Sequence, residues 1–315
     1  MTQVPDPKYA FMQYHGQSAG STLHTNLVRM WAAISADTGG RVAATVRAEN
    51  GKVAGGDPAA LRMLIAGEIQ FYTLMGGIIG TVVPVAEVQQ VPFAFANADA
   101  AHKAIDGPLG RIIGEEMAAK GMHLFAQGGF DNGMRQVASF TRAIATPDDL
   151  AGVRIRVPPG RLIFDTFRAF GAEPVIIPAY QLYDGLAAGQ VTAQENPLAV
   201  LEGFRLYELV KYVSMTNHMW SGFNLMAHLA TWQKLPAGIR DVIERNVVAH
   251  VRRQRLDQNV LNASLRQDLA QRGLTFNEVE QAAFRARLAG VYSAWRERLG
   301  VRCWSMLEAE VGPLG

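Results

Sequence analysis

The sequence predicts an α/β fold in two lobes, a periplasmic-binding-protein-like arrangement with a hinge and a long helix spanning both lobes. Three observations carry that expectation. Short apolar segments alternate with segments of helical period, which is the grammar of a parallel sheet. The alternation pauses at a glycine-rich stretch and then restarts. Late in the chain, Pro236 to Gly273 lacks glycine and proline except at Pro236, Gly238 and Gly273. The 315 residues, 49% apolar and 18% charged, suffice for one large core or two medium ones.

Taken in order, Tyr9 to Tyr14 reads as a strand and Gly16 to Ser21 as a turn. Leu23, Leu27, Trp31 and Ile34 then recur at helical spacing until Gly39 and Gly40 stop the helix. Arg41 to Arg47 is a strand with Val42, Ala44 and Val46 on one face. Asp57 and Pro58 form a cap and first-turn pair for a helix ending near Gly67, and Glu68 to Met75 is a buried strand. Asn97 caps a helical region that breaks at Gly107-Pro108 and stops at Gly121, and Met122 to Gln127 closes the first lobe.

The lobe boundary is expected within Gly128 to Gly133. Beyond it, strands are expected near Met134 to Phe140, Val153 to Val157, Pro174 to Ile177 and Val191 to Glu195, with helices near Arg161 to Phe170 and Gln181 to Ala188. Two further strands, Tyr212 to Asn217 and Phe223 to His228, precede the long helix, which would run roughly 50 Å at 1.5 Å per residue. Residues 1–130 with about 222–260 are assigned to lobe I, and residues 131–221 with about 261–315 to lobe II.

Composition excludes several function classes. Thirty Lys and Arg against 28 Asp and Glu leave a net charge of +2, too balanced for a nucleic-acid surface. The longest apolar stretch, Met75 to Val85, is about half of what crosses a bilayer as a helix. One cysteine, Cys303, rules out an intramolecular disulfide. The seven histidines form no ligand pair, so neither a metal nor a cofactor is expected. The N-terminus, Met-Thr-Gln-Val-Pro-Asp-Pro, has no basic region followed by an apolar core, so either the protein stays in the cytoplasm or its signal peptide is absent from this sequence, and composition does not separate the two.

Gly16-Gln17-Ser18-Ala19-Gly20 matches the G-x-S-x-G nucleophile elbow and would make the chain an α/β hydrolase acting through Ser18. Such an elbow belongs near the middle of a sheet, and too few residues precede Ser18 to build one. Two arginines point elsewhere. Arg156 ends the apolar strand Val153 to Val157 and Arg135 starts another, and strand ends in open α/β folds face the ligand crevice. A guanidinium fork there suits a carboxylate, and Asn196, in Gln194-Glu195-Asn196-Pro197, could complete its coordination. Taken singly, each arginine fits a surface ion pair equally.

The ordered set Gly152 to Val157 with Pro158, Gly171-Ala172-Glu173-Pro174, Leu182-Tyr183 with Leu186 and Gly189, and Gln194 to Pro197 resembles the substrate-binding subunits of TRAP transporters, the DctP-like periplasmic receptors. The likeness extends to Asp131 to Arg135, Leu206-Tyr207-Glu208 and Leu235-Pro236. It implies a periplasmic, non-enzymatic receptor that hands a small carboxylate to membrane permease subunits. Arg156 would be the carboxylate clamp, Arg135 its helper and Asn196 part of the same site.

Around that clamp, Met75, Pro159 and Phe223 stand where sugar-acid receptors of the family offer polar groups, which implies an apolar or aromatic monocarboxylate, a 2-oxo acid or a benzoate-like acid. Ala179 replaces the family's stacking ring, a part that Phe223, Trp220 or Tyr72 would take. His15 would donate to an oxygen beside the carboxylate. The alternatives are a sugar acid, or a hydroxy or oxo acid bridged by a metal.

Overall fold

The computed structural model describes residues 7–314, and Met1 to Asp6 of the N-terminal stretch lie outside them. The chain runs β1 (Tyr9–His15), α1 (Thr22–Asp37), β2 (Val42–Arg47), α2 (Gly56–Ala66), β3 (Phe71–Met75), α3 (Gly76–Ile79), α4 (Ala98–Ile105) and α5 (Pro108–Ala118). It continues through β4 (Met122–Ser139), β5 (Arg154–Val157), α6 (Arg161–Ala169), β6 (Glu173–Ile176), α7 (Leu182–Ala187), β7 (Ala193–Asn196), α8 (Leu198–Gly203) and β8 (Tyr212–His228). Then come α9 (Leu229–Gln233), α10 (Ala237–Gln271), β9 (Thr275–Glu278), α11 (Gln281–Ala286), α12 (Ala289–Leu299) and α13 (Val301–Val311).

Local chemistry explains the boundaries. The Ser21 hydroxyl accepts from the backbone N–H of His24 and opens α1, whose buried face is Leu23, Leu27, Met30, Trp31 and Ile34. Asn97 caps α4 by accepting from Ala100 N–H, as its sequence context predicts. Asp57 does not cap α2. That cap is Gly55 in the left-handed conformation, one of the few places where only glycine fits well, and the Asp57 side chain turns into the protein.

One sheet joins both lobes. Its order is β2-β1-β3-β8-β4-β7-β5-β6, with β9 also paired to β8. β1 is parallel to β2 and β3, and β5 is parallel to β6 and β7. β8 and β4, antiparallel to each other, join these halves. Here the structure departs from the sequence expectation. The glycine-rich stretch does not break the chain into two strands, and neither does Asn217 to Gly222. β4 and β8 each continue across both halves, with register shifts between Leu124 and Gly129, between Asp131 and Met134, and between Arg135 and Val137. Bulges of this kind absorb extra residues and bend a strand without ending it.

The long helix lies where its pattern predicts. Its buried seam begins with Ile239, Ile243, Val247 and Val251 around the single amide Asn246, becomes amide at Gln254 and Gln258, and returns to Leu265 and Leu269. The amides fall where the helix crosses β4. Gln254 donates to the Asp131 carbonyl at 2.7 Å and accepts from Asp131 N–H at 2.8 Å, pairing the backbone of the residue next to a register shift. Arg255 forks onto Asp106 at 2.6 and 2.9 Å and donates to the Gly129 carbonyl.

Buried apolar residues form two cores, the smaller under β7 and α8 with Leu265 and Leu269. The C-terminal helices α12 and α13 pack on α4, α5 and α6 and on the 3₁₀ segment Pro84–Gln90. We propose that the lobes divide within β4 and β8, with these last helices shared between them.

Glu87, on that 3₁₀ segment, is buried and accepts the Leu162 N–H at the start of α6 at 2.7 Å. Burial pushes its carboxyl up to about 7, against the opposing pull of the Leu162 N–H. An acid whose folded pKa is raised favours the fold below its unfolded value of 4.5, and that contribution is lost as pH rises through about 7. Melting temperatures taken across that window should fall more in the native protein than in Glu87→Gln; parallel profiles would contradict this assignment.

Candidate carboxylate site between the sheet halves

A cavity lies where β3, β4, β5, β7 and β8 converge. Register puts its chemistry there. Arg135 and Asn196 come from neighbouring positions on the β4–β7 pair, Gln136 being opposite Asn196, and Arg156 pairs with Gln194 on β5 and β7.

The two arginines do different work. Arg135, 2% exposed, is spent on the protein: Nε and Nη2 fork onto Glu195 at 2.5 and 2.7 Å, and Nη2 also donates to Asn196 Oδ1 at 3.1 Å. Its Nη1 donates to Ser221 Oγ at 3.0 Å. His218 Nε2 adds a contact to Glu195 at 3.2 Å. Burial alone would raise the Glu195 carboxyl, but the charge of Arg135 and the bonds from His218 and Arg135 hold it below the ordinary carboxylate range.

Arg156, also 2% exposed, has one bond, from Nε to the Ile177 carbonyl at 2.7 Å. Among the described residues its two terminal nitrogens have no hydrogen-bond partner. Burial, with help from Arg135, lowers the guanidinium to about 10, and Glu195 and Asp57 oppose that. It stays cationic at neutral pH, so the cavity presents an unpaired buried positive fork.

Asp57 faces the same cavity. Its Oδ1 accepts from Asn50 Nδ2 at 2.7 Å and from the Tyr72 hydroxyl at 2.9 Å. Oδ2 has no partner among the described residues. Burial raises this carboxyl, and the two hydrogen bonds and Arg156 restrain the rise. The site therefore has an anion clamp at one wall and an acid at another, with Met75, Ile78, Leu182, Val200, Phe204 and Phe223 supplying apolar surface between them.

The model of the family described as bacterial extracellular solute-binding protein, family 7 (DctP) matches residues 14–298. The chain belongs to this family. Its members are solute-binding receptors and not enzymes.

Among curated relatives, an uncharacterized protein of Sinorhizobium fredii is 31% identical over 65% of this chain and 37% of its own length. The 2,3-diketo-L-gulonate-binding periplasmic protein YiaO of Escherichia coli is 32% identical over 48% of this chain and 46% of its own. The chain thus spans less than half of the length of these two relatives. Among solved structures, a TRAP periplasmic solute-binding protein from Roseobacter denitrificans with bound β-D-glucuronate superimposes with a TM-score of 0.91 at 23% identity, covering 97% of this chain and all of that one. One from Sulfurospirillum deleyianum with bound succinate gives 0.88 at 20%, covering 96% and 99%. These likenesses show the two-lobed α/β fold.

Of the residues the sequence singles out, Arg156, Arg135, Asn196, Met75, Phe223 and Ala179 line the cavity of this family 7 protein. Four do not. Pro158 lines it in place of Pro159. Trp220 is buried beside it with its indole N–H donating to Asp131 at 2.9 Å, and Tyr72 lies behind Asp57. His15 has Nε2 against His24 Nδ1 at 2.9 Å while Nδ1 accepts from Gln17 N–H, so neither nitrogen is free for a ligand. Ser18 lies on a neighbouring cleft, and among the described residues no histidine bonds it.

Sequence reading missed Asp57 and Gln17 as cavity residues, along with Thr73, Asn132 and Ser221. Asp57 was visible only as an Asp-Pro pair with an apparent capping role.

The two arginines should separate in experiment. Arg135→Ala strands Glu195 in the interior and should cost about 3–5 kcal/mol of stability. Arg156→Ala removes an unpaired charge, so the melting temperature should hold or rise while carboxylate binding weakens by about 2–5 kcal/mol, roughly thirty-fold or more. Equal destabilisation by both in chemical denaturation would refute the division of labour.

Proposed function

We propose that this protein is a periplasmic TRAP receptor that captures a small monocarboxylate with an apolar body and delivers it to a membrane permease. The observation that carries the reading is the buried Arg156 fork without a protein partner. A desolvated bidentate carboxylate completes it and binds there more strongly than at a surface arginine.

The preference for one carboxylate follows from charge. Arg135 is already neutralised by Glu195, and Asp57 would repel a second carboxylate unless protonated. The preference for an apolar body follows from Met75, Ile78 and Phe223, against which unpaired hydroxyls would each lose roughly 1–3 kcal/mol. Branched or aromatic 2-oxo acids and benzoate-like acids meet both conditions.

A sugar acid is the second reading. It is favoured by Asp57 Oδ2, Gln17 and Asn132, a polar edge able to pair hydroxyls. Related structures also carry bound glucuronate and D-erythronate.

A thermal-shift panel of 2-oxoisocaproate, phenylpyruvate, benzoate, succinate, glucuronate and erythronate separates these readings. A ligand at 100 times its Kd adds about 2.7 kcal/mol. Hits confined to the first three support the apolar reading, and hits by the sugar acids replace it with the second. A response only to succinate would contradict both.

Asp57 adds a pH signature. A bound anion takes up the positive field of Arg156 that holds this carboxyl down, so binding favours the protonated acid. Affinity should weaken as pH rises through the Asp57 titration in the native protein and stay flat in Asp57→Asn. Isothermal titration at several pH values reads this directly; an unchanged slope in the variant would exclude Asp57 as its source.

A further inference from the structure

The loops that follow the parallel strands meet in pairs between the two sheet halves. After β1, the Ser18 hydroxyl lies 3.2 Å from where a Cβ on Gly203, beyond β7, would stand. After β3, the Gly77 carbonyl lies 3.4 Å from such an atom on Gly160, beyond β5. After β2, the Tyr180 ring from beyond β6 sits on Gly56, where an added Cβ would come within 2.9 Å of ring carbons. In each pair one partner is a glycine with no side chain to spare room for.

These three contacts are not mechanically equal. β2 and β6 are opposite ends of the strand order, and β8 and β4 are its middle. If the halves turn about that middle, the contact between the edge strands' loops has the longest lever and separates most. Tyr180 meets Gly56 by packing alone. It is 44% exposed, and its hydroxyl has no hydrogen-bond partner among the described residues. It stands one residue beyond Ala179, so its ring lies outside the cavity that Ala179 lines.

We propose that Tyr180 and Gly56 form the latch of the closed cleft, holding the lobes together over the cavity without touching the ligand. Gly56 has φ of +58°, which a side chain strains, and the absence of Cβ lets the ring come down. The next residue is Asp57, so seating the ring also fixes the start of α2 on which the cavity acid stands. The Gly16 to Gly20 segment, whose motif has no catalytic role here, supplies Ser18 to the companion contact.

The inference rests on the receptor reading for two-lobed closure and is independent of which acid binds. Spin labels on Arg62→Cys in α2 and Asp184→Cys in α7, both exposed, report the opening with and without the panel acid that raises the melting temperature most, since Cys303 is buried. With that acid bound the native latch should give short separations, and Tyr180→Ala should shift them longer while Tyr180→Phe does not. Gly56→Ala should also open the cleft, by wedging the ring, and the double variant should open no further than Tyr180→Ala alone. Circular dichroism checks that each variant is folded. A Tyr180→Ala distribution that superimposes on the native one, or effects that simply add, would overturn the latch while leaving the ligand preference read by the carboxylate panel unaffected.

Discussion

The buried pair between Arg135 and Glu195 is the interaction on which the site depends. It joins β4 to β7 with two charged bonds, and through Asn196 and Ser221 it reaches the turn after β7 and the middle of β8. Two charges leave water only when each is fully matched, and this pair meets that condition with His218 as a further partner. With Glu195 satisfied by Arg135 and Asp57 held by Asn50 and Tyr72, Arg156 bonds no carboxylate among the described residues. The free fork is thus a consequence of where the one strong counter-ion was spent.

That division needs strands that hold register across both halves, and the amides of α10 serve it. Asp131 stands next to a register shift, and its backbone N–H and carbonyl would be costly to bury unpaired. Gln254 pairs both, and its Nε2 also lies 3.1 Å from Thr22 Oγ1 on α1, which in turn donates to Gln258. The helix therefore changes from apolar to amide chemistry where it crosses the irregular part of the sheet. Its seam there contributes polar satisfaction as well as buried area.

Much of this was legible in the sequence. Alternating apolar periods located the parallel strands of each half, and the long run without helix breakers located α10 to within two residues at each end. Arg156 was found because a charged residue ending an apolar strand is conspicuous. The continuity of β4 and β8 was not legible, because glycine signals a turn and a bulge alike, and only pairing with the neighbour distinguishes them. The role of Asp57 was hidden for a similar reason. An Asp before Pro is a good helix opener, and the left-handed Gly55 that displaced it from the cap has no signature of its own. Tyr72 and Trp220, expected to stack on the ligand, do not line the cavity, and their polar ends are bound by Asp57 and Asp131.

The charges of the site explain why an anion belongs there and why binding should be sensitive to Asp57. Arg135 and Glu195 cancel, leaving Arg156 and Asp57 as the pair that the interior must accommodate without a ligand. They influence each other through space and share no hydrogen bond, so Arg156 rests on its one bond to Ile177 and Asp57 on Asn50 and Tyr72. An entering carboxylate compensates Arg156 directly and leaves Asp57 with less reason to be ionised. A protonated Asp57 then becomes a hydrogen-bond donor toward the ligand, where an ionised one can only accept. The two walls of the cavity are thereby coupled through the charge of whatever anion Arg156 holds.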